Sequence, residues 1–229
     1  YSLKDTKWIS WHSYLPSFYM HVQEKFYSWK EGLSNIWRHG RKNHYQNFYG
    51  ERHPFIVEYV DNSNALISKI YDAIKFQTEA KEYDVNTDSY IDKRFITFNK
   101  VLAYNTHQIS GILDMLVKDV DLEYMNNQVE NSAGFINLDR NERDWCINDI
   151  RDYRVDYDKP VFKKDWASIK GSFPIDKVLD TTVIDFNKDW TQLESLRDKF
   201  LIVRLILDNL HNVQLVTNFS ITDPQESFR

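Results

Sequence analysis

Histidine is concentrated near the start of this sequence. Imidazole is a common metal ligand, and a structural zinc site takes four nitrogen or sulfur ligands that are often closely spaced. The spacings here are wide and no cysteine accompanies them, so we expect no metal site. Histidines at the surface or between strands are the simpler interpretation, and a pH-responsive role stays open. Five of the seven histidines lie in the first 53 residues: His12, His21, His39, His44 and His53.

Nucleophiles and paired carboxylates give little support for catalysis. The single cysteine, Cys146, lies in the segment RDWCINDI, which has no histidine to activate a thiolate, so we expect a small buried side chain. Glycoside hydrolysis needs two carboxylates across a cleft. A chain with 34 acidic residues contains adjacent acidic pairs by chance, here Asp119 with Asp121, Asp149 with Asp152 and Asp156 with Asp158. The motifs of common nucleotide, zinc-protease, serine-hydrolase and dithiol sites are absent. We therefore predict a protein that is not an enzyme and has no cofactor.

Aromatic side chains are the other candidates for chemistry. Exposed indole rings can stack on sugars, which would make a carbohydrate-binding or glycan-processing β domain, but the same rings also fill cores and interfaces. The tryptophans in question are Trp8, Trp11, Trp29 and Trp37. Residues 37–50, WRHGRKNHYQNFYG, mix basic and aromatic side chains as single-strand binders do. In a chain with a net charge of −5 we interpret them as a charged turn and expect no nucleic-acid specificity.

Composition limits the class of protein. The chain has 229 residues, of which 42% are hydrophobic and 15% aromatic, so it can bury a sizeable core. One cysteine excludes an internal disulfide framework and fits a reducing compartment. No apolar run is long enough to span a bilayer, and no secretory signal opens the chain. The sequence starts without methionine, and we expect a part of a longer polypeptide.

The elements that must position these residues are predicted to be strands. Short aromatic or β-branched runs alternate with turns rich in Asn and Gly, which is typical of antiparallel sheet. Residues 25–32 and 33–40 are expected to pair around Gly32, and residues 64–83 favour strand over helix. The opening segment WISWHSYLP fits a strand that ends at Pro16, although a helix aligns Trp8 with Trp11 as well.

The second half of the chain is also predicted to be β-rich, with few short helices. Residues 200–209 are apolar on both faces, which indicates a central buried strand, and a hairpin with residues 212–221 is expected. Residues 145–157 and 190–199 are the candidate short helices, and a surface loop is expected near 121–144. The predicted fold is mainly β, with an antiparallel meander or propeller-blade-like region at 1–83 and a β-rich C-terminal domain at 84–229.

Several segments together resemble a known family. They are WISWHSYLPSFYMHVQEKFYSWKEG, IWRHGRKNHYQNFYGE, RFITFNKVLAYNTHQISG, WCINDIRDY and IDFNKDWTQLESLRDKFLIVRLILDN, in this order. The set is similar to the C-terminal part of the tail muzzle, or stabilisation, proteins of crAss-like bacteriophages. The resemblance covers nearly the whole chain apart from residues 121–144.

The resemblance implies a structural component of a short-tailed virion, assembled in the host cytoplasm. It implies a ring of identical subunits in the distal tail, other tail proteins as partners, and no catalysis. Rings of this kind bury aromatic side chains at repeated contacts. We therefore expect Trp8, His12 and Tyr14 to lie on a face near a subunit contact, and the interface candidates are these three with Trp29 and Trp37.

Overall fold

The computed structural model describes residues 6, 14–62, 66–117, 134–155, 184–209, 212–216 and 221–227. The fold is mainly β, as the sequence predicts. The described residues form nineteen strands, which are, in chain order, β1 (Phe18–Val22), β2 (Lys25–Trp29), β3 (Trp37–Arg38), β4 (Asn47–Phe48), β5 (Glu51–Arg52), β6 (Phe55–Asp61), β7 (Lys69–Gln77), β8 (Glu79–Asp84), β9 (Ser89–Asp92), β10 (Lys100–Tyr104), β11 (Leu113–Val117), β12 (Phe135–Asn141), β13 (Asp144–Asn148), β14 (Arg151–Asp152), β15 (Glu194–Ser195), β16 (Arg197–Asp198), β17 (Leu201–Leu207), β18 (Gln214–Val216) and β19 (Ile221–Ser227).

One large sheet dominates the molecule and curls into a half-barrel. Its strand order is β16-β7-β13-β12-β11-β10-β17-β6, and β19 pairs with β7. Neighbours run antiparallel except β11 and β12, which are parallel. Smaller sheets surround it: β1-β2-β3, β18-β8-β9, and the ribbons β4-β5 and β14-β15.

The central strand of the core is β17. All seven of its residues are buried, as the apolar pattern on both faces predicts. Its edges are occupied by β10 and β6, in full register with both. The side chains that pack around it include Phe98, Leu113 and Trp145, each 1% exposed or less. These strands therefore form a continuous core.

The predicted hairpin between residues 200–209 and 212–221 is wrong. Strand β18 pairs with β8, because both edges of β17 are already taken. The connection is instead shaped by Asn209, whose amide donates to the Val213 carbonyl at 2.9 Å and accepts from the Val213 N–H at 2.7 Å. This local bonding directs the chain away from β17.

Both predicted helices are also wrong. Residues 144–148 and 151–152 form β13 and β14, in which Trp145 and Ile147 pair with Phe76 and Ile74 of β7. In the segment 190–199 only a single 3₁₀ turn, Trp190–Gln192, precedes β15 and β16. Strands form here because β13 pairs on both sides inside the large sheet, β16 pairs with β7 and β14 pairs with β15, and this pairing exceeds the weak helical preference of both segments.

The predicted boundary between residues 1–83 and 84–229 crosses a sheet to which both parts contribute strands. Strands β6 and β7 precede residue 83, yet both belong to the sheet that contains β10–β13 and β17. Residues 135–141, inside the expected loop 121–144, form β12, whereas residues 118–133 lie outside the described residues. Independent folding of residues 1–83, and any propeller-like character, stay predictions.

Candidate functional site: an aromatic sheet face and a basic cleft

The N-terminal sheet has two faces with different surroundings. Strands β1 and β2 are joined by a two-residue turn, Gln23 and Glu24, both with positive φ as a type I′ turn requires. β3 continues the sheet by pairing with β2, and the chain returns through Gly32, as predicted. Because directly paired residues share a face, the register separates the side chains into two sets.

The inner set joins an aromatic cluster, which we define as Tyr14, Phe26, Trp37, His39, Phe48, Tyr49 and His53. Buried Ser28 lies at its centre, with its hydroxyl 2.5 Å from both His39 Nε2 and the Tyr49 hydroxyl. Tyr14 and Phe48 stack with ring centroids 4.1 Å apart. Burial raises the pKa of the Tyr14 hydroxyl, so it remains neutral at physiological pH. The cluster fastens the sheet to the β4-β5 ribbon.

The outer set is partly open to solvent, as is Tyr19 of the inner set, which is 53% exposed. We call it the outer face, and its apolar members are Phe18, Met20, Val22, Tyr27 and Trp29, with Lys25 and Arg38 at its ends. Phe18 is 58% exposed and Val22 is 44% exposed. Trp29 is half-buried, and its indole N–H donates to the Leu33 carbonyl at 2.7 Å. Exposed apolar side chains grouped on one face of a small sheet are typical of interaction surfaces.

The five predicted interface residues are therefore distributed over different places. Trp29 lies on the outer face, and Tyr14 and Trp37 lie in the aromatic cluster. Trp8 and His12 lie outside the described residues. The sequence did not point to Phe18 and Val22, although their alternation with polar residues in FYMHV was the available signal.

A basic cleft lies next to the aromatic cluster. Its volume is about 850 Å³, and its described lining comprises residues 35–42 and 44–48 with Tyr90 and Gln214. The lining includes Arg38, Arg41 and Lys42, and no acidic residue is among the described residues that line it. Lys42 is paired at 3.1 Å with Asp88 outside the lining, and this hydrogen bond raises the pKa of Lys42.

The loop that forms the basic cleft is held by the body of the protein. The Tyr45 N–H donates to Asn212 Oδ1 at 3.1 Å, and Gln46 Nε2 donates to the Leu207 carbonyl at 2.9 Å. The Asn212 amide also donates to the Asn43 carbonyl. Asn43 and Gln46 both have positive φ. These bonds fix the conformation of the basic segment, which is therefore more than a solvated turn.

The remaining candidates for chemistry have structural surroundings. Cys146 is half-buried, burial raises the pKa of its thiol, and its Sγ lies 3.1 Å from Asn148 Oδ1. Asp149 pairs with Arg151 at 3.0 Å, and the Asp152 carboxylate accepts two backbone N–H groups. Within the described part of the chain, no three His, Cys, Asp or Glu side chains form a group that could hold a metal. No helix among the described residues is long and apolar enough to cross a membrane.

Comparison with known proteins agrees with the resemblance seen in the sequence. Residues 43–152 match the family model of the Crassvirus muzzle protein C-terminal domain. The matched segment begins in the loop of the basic cleft and contains β4 to β14. A search of curated proteins found no match. Over residues 43–152, the chain is therefore similar to the Crassvirus muzzle protein C-terminal domain, which supports the C-terminal part of a crAss-like phage muzzle protein.

Proposed function

We propose that this chain packs as one subunit of a symmetric ring in the distal tail, with the outer face as a contact between neighbouring copies. The family match supports a structural protein of a phage muzzle that is part of the virion. Other tail proteins are then its partners, and assembly would take place in the host cytoplasm. Catalysis has no part in this role.

The observation that supports the proposal is the outer face itself. Phe18 and Val22 are exposed side by side with Met20 on a strand at the edge of its sheet. Covering a side chain of this type contributes about 1.5–3 kcal/mol. A closed ring covers the same surface on each subunit, because every contact is repeated by symmetry.

The test measures the mass of the assembly by multi-angle light scattering, followed by electron microscopy. We expect the unaltered chain to form a defined multimer at high concentration, and the double variant Phe18→Ser/Val22→Ser to shift to monomer. Since both side chains are exposed, the variant should keep its circular dichroism spectrum and its thermal midpoint.

Val85→Ser provides the matched control. Val85 is 67% exposed but lies in the turn between β8 and β9, away from the outer face in sequence and sheet. It should assemble as the unaltered chain does. A monomeric unaltered chain, or a double variant that still forms rings, would contradict the proposal.

A further inference from the structure

We propose that the basic cleft binds an acidic saccharide, that is, a sugar that carries a carboxylate or phosphate group. The cleft adjoins the outer face, because Arg38 pairs with Tyr27 and lies on the same side of the sheet, whereas Arg41 lies beyond β3. The proposal does not require that the chain forms a ring. It gives a role to Arg38 and Arg41 of segment 37–50, whose aromatic side chains already pack in the aromatic cluster.

Charge gives the first argument. The chain has a net charge of −5, yet the described lining of the basic cleft contains three side chains with permanent positive charge and no carboxylate. Lys42 is neutralised by Asp88, whereas Arg38 and Arg41 make no ion pair with any described residue. Two arginines that have no carboxylate partner in the described part of the chain, beside a concave surface, are suited to bidentate recognition of a carboxylate or phosphate.

The other lining residues suit a polar ring. Tyr90 is 44% exposed and offers an aromatic surface against which a pyranose ring can pack. Asn35 and Gln214 supply amide donors and acceptors for hydroxyl groups. The Tyr45 hydroxyl is buried beneath the lining, and burial with the neighbouring Tyr90 hydroxyl raises its pKa to about 12, so it adds no charge to the cleft. The volume of about 850 Å³ is within the range of small-ligand sites.

A small acidic ligand fits better than a nucleic acid. A single strand binds along a groove where successive bases stack on several open aromatic rings. In the basic cleft, Tyr90 is exposed, whereas Trp37, Tyr45 and Phe48 are half-buried among their neighbours. The acidic residues Asp88 and Glu51 lie close by in the chain fold and would repel a long polyanion. The positive field is therefore confined to the cleft.

The loop is already in place to receive a ligand. Backbone groups of the loop are hydrogen-bonded to the Asn212 side chain, and the Gln46 side chain is hydrogen-bonded to the Leu207 carbonyl. These bonds hold the turn that carries the arginines against the body of the protein. A site that does not have to be ordered on binding loses less conformational entropy, which favours affinity for a small molecule.

Calorimetric titration of the full chain tests the proposal. The probes are a glucuronate-containing disaccharide, a glucose disaccharide without charge, inorganic phosphate and a short single-stranded oligonucleotide. We expect saturable binding of the acidic disaccharide with one site per chain, and at least tenfold weaker binding of the uncharged one.

Hydrogen bonds to a charged group contribute about 1.5–3 kcal/mol, and 1.4 kcal/mol is a factor of ten. Arg41→Gln should therefore weaken binding about tenfold or more, and Arg38→Gln/Arg41→Gln should weaken it further.

Arg143→Gln is the matched control, because Arg143 is an exposed arginine in the turn between β12 and β13. It should bind the acidic disaccharide as the unaltered chain does. The proposal would be overturned if the acidic disaccharide did not bind, or if the uncharged disaccharide or phosphate alone bound equally well. It would also be overturned if the oligonucleotide bound more tightly, or if Arg41→Gln left the affinity unchanged. Light scattering of Arg41→Gln separates this result from the ring proposal, because assembly should be unaffected.

Discussion

At the scale of single residues, Asp152 shows how the fold changes the chemistry of a carboxylate. Its side chain is fully buried, and its Oδ1 accepts the N–H groups of Ile109 at 3.2 Å and Arg154 at 3.0 Å. Burial raises the pKa of Asp152, although those two bonds and the charges of Arg154 and Lys188 oppose the rise. The charged form is therefore less favourable in the folded state than in the unfolded chain.

The raised pKa of Asp152 predicts a specific dependence of stability on pH. The free energy of unfolding should fall as pH rises from the usual aspartate range through the raised pKa, because the unfolded state then ionises more easily. Asp152→Asn keeps the accepting oxygen and removes the charge. We expect its advantage over the unaltered chain to be largest near pH 7 and to shrink as pH falls to about 4. Urea denaturation at several pH values measures this difference.

Asp189→Asn is a control of opposite sign. Asp189 is exposed, and hydrogen bonds from the Thr191 hydroxyl at 2.6 Å and N–H at 2.8 Å lower its pKa. Its contribution is present above the usual aspartate pKa and is lost as pH falls through the lowered value. The asparagine variant should therefore lose its disadvantage at low pH. If the effect of Asp152→Asn did not vary with pH, burial of an ionised carboxylate would not be the cause.

At the scale of elements, the pairing of β17 with β6 explains a charge inside the most buried strand. Arg204 interrupts an otherwise apolar sequence, and its register partner on β6 is Glu58. Arg204 Nε donates to Glu58 Oε2 at 2.8 Å, and the Tyr104 hydroxyl of β10 donates to the same oxygen at 3.3 Å. The bonds therefore link three adjacent strands at one point.

Removal of one partner should be more harmful than removal of both charges. Glu58→Gln leaves the Arg204 guanidinium buried beside a weaker acceptor, and we expect a loss of about 1–3 kcal/mol in the free energy of unfolding. Glu58→Leu/Arg204→Met replaces the pair by apolar groups and should recover much of that loss. A double-mutant cycle, measured by urea denaturation, gives the coupling free energy between Glu58 and Arg204. Additive effects of the two changes would show that the pair does not link the strands.

Elements differ in how far the sequence predicts them. The alternation in 69–77 and the apolar run 201–207 identify β7 and β17, because local patterns report burial. The partners of β17 were not predictable, since Glu58 and Arg204 are 146 positions apart and a local hairpin was the simpler choice. β12 was missed because Leu138 is fully buried while both ends of the strand are exposed, which weakens the pattern.

The same limit applies to the candidate sites. The composition of residues 37–50 shows basic and aromatic side chains, but a cleft forms only when Asn212 and Leu207, far along the chain, hold that segment. Trp29 and Trp37 were selected as similar residues, yet the β1-β2-β3 register places them on opposite faces. Pairing, which depends on tertiary structure, decides which aromatic side chains are covered.

At the scale of the whole molecule, local stability should differ strongly between the small N-terminal sheet and the core strand β17. Every residue of β17 is buried between two strands, whereas the residues of β1 are exposed or half-buried and β1 is the edge of a small sheet. Segments with few buried contacts open locally at a lower free energy than the core does. The N-terminal sheet should therefore exchange its amide hydrogens well before β17 does in the unassembled chain.

Assembly should change amide protection in the N-terminal sheet and leave it unchanged in β17. If neighbouring copies cover the outer face, amide protection in β1 and β2 rises in the multimer, because opening then requires the contact to break. Protection in β17 should stay constant, since it already reflects global unfolding. Hydrogen exchange with mass spectrometry on monomer and multimer measures the protection of the N-terminal sheet and of β17.

Strand β6 is the informative comparison, because Ile56 and Val60 are also exposed at an edge of the large sheet. A rise in β6 protection with none in β1 and β2 would move the contact from the N-terminal sheet to that edge.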